Sequence, residues 1–83
     1  MSIDLKTEVA AVVAIRWDDF ARRHPNLARV IDQHLVVESA VSHLRTDPAY
    51  QHALANARSA GAGVETVVTI IDKFVSVWLE KLV

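Results

Sequence analysis

Cysteine and glycine are scarce in this chain, and each shortage excludes a class of protein. The 83 residues include no cysteine and two glycines. Without cysteine there is neither a disulfide framework nor a thiol nucleophile. Gly61 and Gly63 are not followed by the Gly-Lys-Ser/Thr sequence of a phosphate-binding loop, and no serine lies in a Gly-x-Ser-x-Gly elbow. The sequence therefore favours a non-enzymatic protein and indicates no cofactor.

The chain also lacks an excess of either charge and any long apolar run. Its formal net charge is −1, which argues against a general nucleic-acid binder, because such proteins gain affinity by neutralising phosphates. Asp72 and Lys73 interrupt the most apolar stretch, which therefore falls short of the roughly 18 residues of a membrane span. No basic segment precedes an apolar run at the N-terminus, so we expect no signal peptide and a cytoplasmic location.

Hydrophobic residues make up 52% of the chain and recur with the period of an α-helix. We predict a single all-α domain, folded as a small four-helix bundle with two long helices, one short helix and one long C-terminal helix. These helices are expected at about residues 3–23, 25–45, 48–60 and 64–83. A domain of this size buries only about 60% of its unfolded surface. We therefore expect self-association to complete the bundle.

Residues that favour helix ends support these boundaries. Ser2 or Asp4 suits the N-cap of the first helix. Pro25 suits the first turn of the second helix, because proline lacks the N–H that is unpaired there in any case. Asp47-Pro48 combines an N-cap with a first-turn proline for the third helix, and Gly61 suits the position just after its end.

The C-terminal helix has an unusually wide apolar face. Its apolar sector extends over roughly 200°, whereas a helix lying on a small core needs somewhat more than about 100°. Such a helix is either central in its own bundle or covered by a second chain. The candidate interface residues are Ile70, Phe74, Val77, Trp78 and Leu79. These residues lead to our first hypothesis, in which the protein is a homo-oligomerising interaction module with an adaptor, docking or assembly role. A dimer is the favoured assembly, and another protein is the alternative partner.

The second hypothesis concerns ionisable residues within the predicted core stripe of helix two, a stripe formed by Leu27, Val30, Ile31, Val37, Val41 and Leu44. His34 lies in the middle of that stripe, Glu38 follows one turn later, and Arg45 shares the column of Glu38. A buried polar pair that fixes helix register is one interpretation. The other is a small ligand or metal site, in which His34 and Glu38 supply two ligands and a symmetry-related chain completes the set. No metal site can be built from one chain.

A third hypothesis is DNA binding by a helix-turn-helix, with residues 48–60 as the recognition helix. This helix presents side chains that contact bases in other proteins: Gln51, His52, Asn56 and Arg58. It carries one full positive charge, however, and Asp47 at its start would face phosphate unfavourably. We therefore rank DNA binding below the other two hypotheses.

Overall fold

The computed structural model describes residues 4–83, which form five α-helices and no strand. The predicted all-α fold class is thus confirmed. The helices are α1 (Leu5–Arg23), α2 (Pro25–Val30), α3 (Gln33–Thr46), α4 (Pro48–Ser59) and α5 (Val64–Glu80). The predicted start of the first helix at residue 3 and the Ser2 cap lie outside the described residues. Among these five helices, none has both the length and the hydropathy that crossing a membrane requires.

The predicted second helix is wrong, because the chain forms two helices there. α2 ends at Val30, and Ile31 and Asp32 then adopt extended conformations before α3 begins at Gln33. The Asp32 carboxylate accepts a hydrogen bond of 2.9 Å from the backbone N–H of His34 and so caps α3. The apolar pattern continues through the break, which is why periodicity alone predicted a single helix.

The break also changes which face of α3 is buried. The buried side chains of α3 are Val36, Val37, Ala40, Val41 and Leu44. Val37, Val41 and Leu44 belong to the predicted stripe, whereas Val36 and Ala40 extend it on one side. His34 and Glu38 consequently lie beyond the opposite edge of the buried face.

The core is built mainly by α1, α3 and α5. On α1, Val9, Val12, Val13 and Phe20 are buried, while Trp17 is half-buried. On α5 the most deeply buried side chains are Ile71, Val75 and Leu79. α1 is central, because it packs against α2, α3 and α5, while α4 packs against α3 and α5.

Two ion pairs fix the side of α5 that faces α1. The Arg16 guanidinium donates from Nε and Nη2 to the two carboxylate oxygens of Asp72, at 2.8 and 2.7 Å. This bidentate hydrogen bonding lowers the pKa of Asp72. Arg23 Nη2 lies 2.8 Å from Glu80 Oε1, nearer the end of α5.

The ends of α4 follow the predicted capping chemistry. The Asp47 carboxylate accepts a hydrogen bond of 3.0 Å from the backbone N–H of Ala49. At the other end Gly61 has a φ of +73°, a conformation that costs other residues roughly 1–2 kcal/mol. The N–H of Gly61 donates to the Arg58 carbonyl and that of Ala62 to the Ala57 carbonyl, at 3.0 and 2.9 Å. This is a Schellman motif, and it turns the chain directly into α5.

Candidate interaction surface

An apolar groove opens between the start of α3 and the end of α5. It has a volume of about 220 Å³. The side chains that line it are Ile31, Leu35, Val36, Ser39, Trp78 and Leu82. We call this feature the α3/α5 groove. Leu35 is 60% exposed in its wall, so the isolated chain presents substantial apolar surface there to solvent.

The groove exists because α4 is too short to cover α5 completely. Tyr50, the third residue of α4, packs edge-on against Phe74, with ring centroids 5.6 Å apart. Trp78 lies one turn further along α5 and Leu82 lies just past its end, so both extend beyond the start of α4. α2 does not cover them, because within residues 4–83 it contacts α1 and no other helix.

The structure divides the predicted interface residues of α5 into surface and core. Trp78 lines the groove, and Val77 beside it is 51% exposed. Ile70 and Phe74 are half-buried on the same side of α5. Leu79 is only 3% exposed. It therefore belongs to the core of the chain, and its assignment to the surface was wrong.

Of the six residues that line the groove, sequence reasoning identified only Trp78 and missed Ile31, Leu35, Val36, Ser39 and Leu82. Leu35 lies off the predicted stripe of helix two, where a single leucine is ordinary on a helix surface. Ile31 was assigned to the helix interior because the break after Val30 was not predicted. The sequence offers one weak indication of Leu35, namely that it is an apolar residue outside the predicted stripe.

His34 and Glu38 do not form a buried polar pair. Their side chains are 72% and 45% exposed, with His34 Nε2 lying 3.8 Å from Glu38 Oε1. No polar or charged residue is buried within residues 4–83. The prediction of a buried, register-fixing pair was therefore wrong, because the break at Asp32 places both residues outside the core face.

Glu38 is instead bound to α1. Lys6 Nζ lies 2.6 Å from Glu38 Oε1. The hydrogen bond from Lys6 is the main cause of a lowered pKa at Glu38, with smaller contributions from the charges of His34 and Arg45. Arg45 itself is exposed. The three predicted residues therefore lie on the charged outer surface of the protein rather than in a site within the bundle.

The described part of the chain assembles no metal centre, and one of the predicted base-contacting side chains is engaged within the fold. No group of three His, Asp or Glu side chains there is arranged to hold a metal ion, so His34 and Glu38 supply two ligands where zinc sites use three or four. On α4, Gln51 Nε2 donates to the Leu44 carbonyl at 3.1 Å. The Gln51 amide thus pairs with a backbone carbonyl at the end of α3. It does not point outward as a side chain that contacts DNA bases would.

Comparisons with known proteins add no functional information. No protein-family model matches the chain, and searches of curated proteins and of solved structures returned no match. The inference of function therefore depends on the surfaces of the chain itself.

Proposed function

We propose that this protein is a non-enzymatic helical interaction module that forms a homodimer through the α3/α5 groove. The observation that carries this proposal is the open apolar groove, with Leu35 60% exposed and Trp78 half-buried in its walls. Removing apolar surface from water is the dominant favourable term in most protein association. Tryptophan is also among the residues most enriched at the energetic centres of interfaces.

Charge favours a second copy of the chain as the occupant of the groove. The formal net charge of −1 means that two copies repel each other only weakly. In a two-fold dimer each chain contributes the same surface. The end of α5 in one chain would then face the start of α3 in the other. Lys81 is exposed at the first position and Asp32 is exposed at the second, so opposite charges would meet at the rim.

The area that a dimer needs defines the extent of the interface. The chain has an accessible surface of 5424 Å², and a standard interface buries about 800 Å² per partner. A dimer would thus cover about 15% of each chain. The groove alone is smaller than this, so we expect the interface to continue over Val77 and the half-buried Ile70 and Phe74 on the same side of α5.

Light scattering after size-exclusion chromatography, over a wide range of protein concentration, tests this proposal. The informative variant is Leu35→Glu, because Leu35 is exposed in the groove and its replacement leaves the core intact. The matched control is Ile15→Glu, because Ile15 is 80% exposed on α1. Far-UV circular dichroism checks that both variants keep the helical content of the wild type.

We expect a dimer for the wild type and for Ile15→Glu, and a monomer for Leu35→Glu. The physical reason is that a glutamate at position 35 would place a charge without a partner in an apolar contact. A wild type that remains monomeric at every concentration would overturn the proposal. Dissociation by Ile15→Glu with no effect of Leu35→Glu would instead place the interface on α1.

A further inference from the structure

A second, larger pocket lies between α4 and the start of α5, away from the α3/α5 groove. Its volume is about 430 Å³, within the range of about 300–1,000 Å³ that is typical of small-molecule sites. Its apolar walls are formed by Leu5, Leu54, Val64, Val67 and Ile71. Val67 and Trp78 are separated by about 16 Å along α5, so the pocket and the groove can be tested separately.

Tyr50 contributes a hydroxyl to the wall of this pocket. The residue is 3% exposed and lines the pocket wall. Within residues 4–83 its hydroxyl takes part in none of the side-chain hydrogen bonds. Within residues 4–83 no buried side-chain nitrogen or oxygen lacks a partner, so the Tyr50 oxygen is reached by solvent even though the ring is buried. Burial also raises the pKa of Tyr50, so at neutral pH this hydroxyl is available as a hydrogen-bond donor.

Arg58 places a positive charge at the same pocket. It lines the wall, and its charge acts on Tyr50 by opposing the rise in the pKa of the hydroxyl. Within residues 4–83 it forms no ion pair. A guanidinium has a planar fork of N–H donors that matches the two oxygens of a carboxylate.

The turn between α4 and α5 adds a further positive contribution. The Schellman motif at Gly61 brings Ala62 and Gly63 into the pocket wall beside Arg58. Gly63 is the N-cap of α5 and has no side chain to accept hydrogen bonds from the first turn. The N-terminus of α5, which carries a partial positive charge, therefore opens near the pocket.

We propose that this pocket binds a small amphipathic carboxylate. The carboxylate would pair with the Arg58 guanidinium and accept a hydrogen bond from the Tyr50 hydroxyl. Its hydrocarbon body would lie along Leu54, Val67 and Ile71. Both parts of the ligand match the pocket, because apolar side chains line it beside the Tyr50 hydroxyl and the Arg58 guanidinium. Within residues 4–83 neither of these two groups forms a side-chain hydrogen bond or ion pair.

Octanoate is a suitable probe, with 1-octanol and acetate as probes that lack the charge or the apolar body. Titration is followed by nitrogen–proton correlation spectra of the full chain, which report each backbone amide. We expect saturable octanoate-induced shifts at residues 62–71 and at Leu54, and weaker binding of both comparison probes. Shifts confined to the α3/α5 groove, or no saturable shifts, would overturn the proposal.

Two variants test the polar groups. Arg58→Gln is expected to weaken octanoate binding about tenfold or more, because a hydrogen bond to a charged group is lost. Tyr50→Phe is expected to weaken it severalfold while keeping the ring contact with Phe74. Arg29→Gln is the matched control, since Arg29 is an exposed arginine on α2. Equal affinity of Arg58→Gln and the control would overturn the proposed role of Arg58, and thermal unfolding checks that each variant folds.

Discussion

Replacing Leu79 by alanine is expected to lower the free energy of unfolding by about 3 kcal/mol. Leu79 is 3% exposed, and Leu→Ala changes in cores cost about 2.7–5.0 kcal/mol, depending on how well the cavity collapses. Leu79 lies one residue before the end of α5 at Glu80. The helix end can relax into part of the cavity, which favours the lower half of that range.

Val77 on the same helix provides the comparison. It is 51% exposed, so Val77→Ala is expected to change the stability of the monomer by less than about 0.5 kcal/mol. In a domain of this size about 1 kcal/mol shifts the melting temperature by roughly 4–8 °C. Leu79→Ala should therefore melt at least about 10 °C below the wild type, and Val77→Ala within a few degrees of it.

Urea unfolding, followed by far-UV circular dichroism at a low and a high protein concentration, measures both effects. Two concentrations are needed because dimer formation stabilises the folded state by mass action. The decrease in the free energy of unfolding caused by Leu79→Ala should be equally large at both protein concentrations. Any decrease caused by Val77→Ala should be confined to the high concentration. A Leu79→Ala variant within about 1 kcal/mol of the wild type at low concentration would refute the placement of Leu79 in the core.

Four further substitutions test the ion pair and the helix ends that position the helices. Asp72→Asn should cost about 0.5–1 kcal/mol, because a partly exposed ion pair contributes little even when it is bidentate. Because pairing with Arg16 holds the pKa of Asp72 below its usual 3.8, the contribution is complete above that pH and is lost as the pH falls through the folded-state pKa. Urea unfolding from pH 2 to pH 7 should therefore show the wild type and Asp72→Asn converging at low pH. Gly61→Ala should destabilise by about 1 kcal/mol, because the φ of Gly61 is +73°. Gly63→Ala should change the stability by less than about 0.5 kcal/mol, because an added Cβ meets no atom within 4 Å and the entropy lost from the unfolded chain is offset by the preference for glycine over alanine at an N-cap. Thermal unfolding compares the two variants. Asp47→Ala should cost about 1 kcal/mol in the same assay, because the N-cap of α4 is lost.

Specific outcomes would contradict these expectations. A constant difference between the wild type and Asp72→Asn down to pH 2 would show that the carboxylate charge is not the source of the effect. Equal effects at Gly61 and Gly63 would argue against the left-handed conformation at Gly61. An unchanged melting temperature for Asp47→Ala would mean that water replaces the cap at no cost.

Helix ends that depend on local chemistry were predictable from the sequence. Pro25, Asp47-Pro48 and Gly61 act on their own turns of backbone, so their effect hardly depends on the rest of the fold. The break at Ile31 and Asp32 was not predictable in this way. The apolar period runs through it, and the aspartate is ordinary on a helix surface until it caps α3.

The candidate sites were predictable only in part. Trp78 and Val77 were identified from the wide apolar face of α5, and the structure places both at or beside the groove. Leu79 was assigned to the same surface, but its side chain points toward the core from one edge of that wide face. A helical wheel gives angles between side chains but does not say which neighbouring helix lies at each angle.

An all-α fold, most helix ends and an apolar face on α5 wider than a small core needs could all be predicted from the order of the residues. Where the excess apolar surface is exposed depends on how the helices pack. α4 is shorter than α5 and begins opposite Phe74, so the last turn of α5 is left uncovered next to Leu35. Helix packing likewise brings Tyr50 and Arg58 of α4 to the start of α5, since residues distant in the chain share a pocket only after the helices pack.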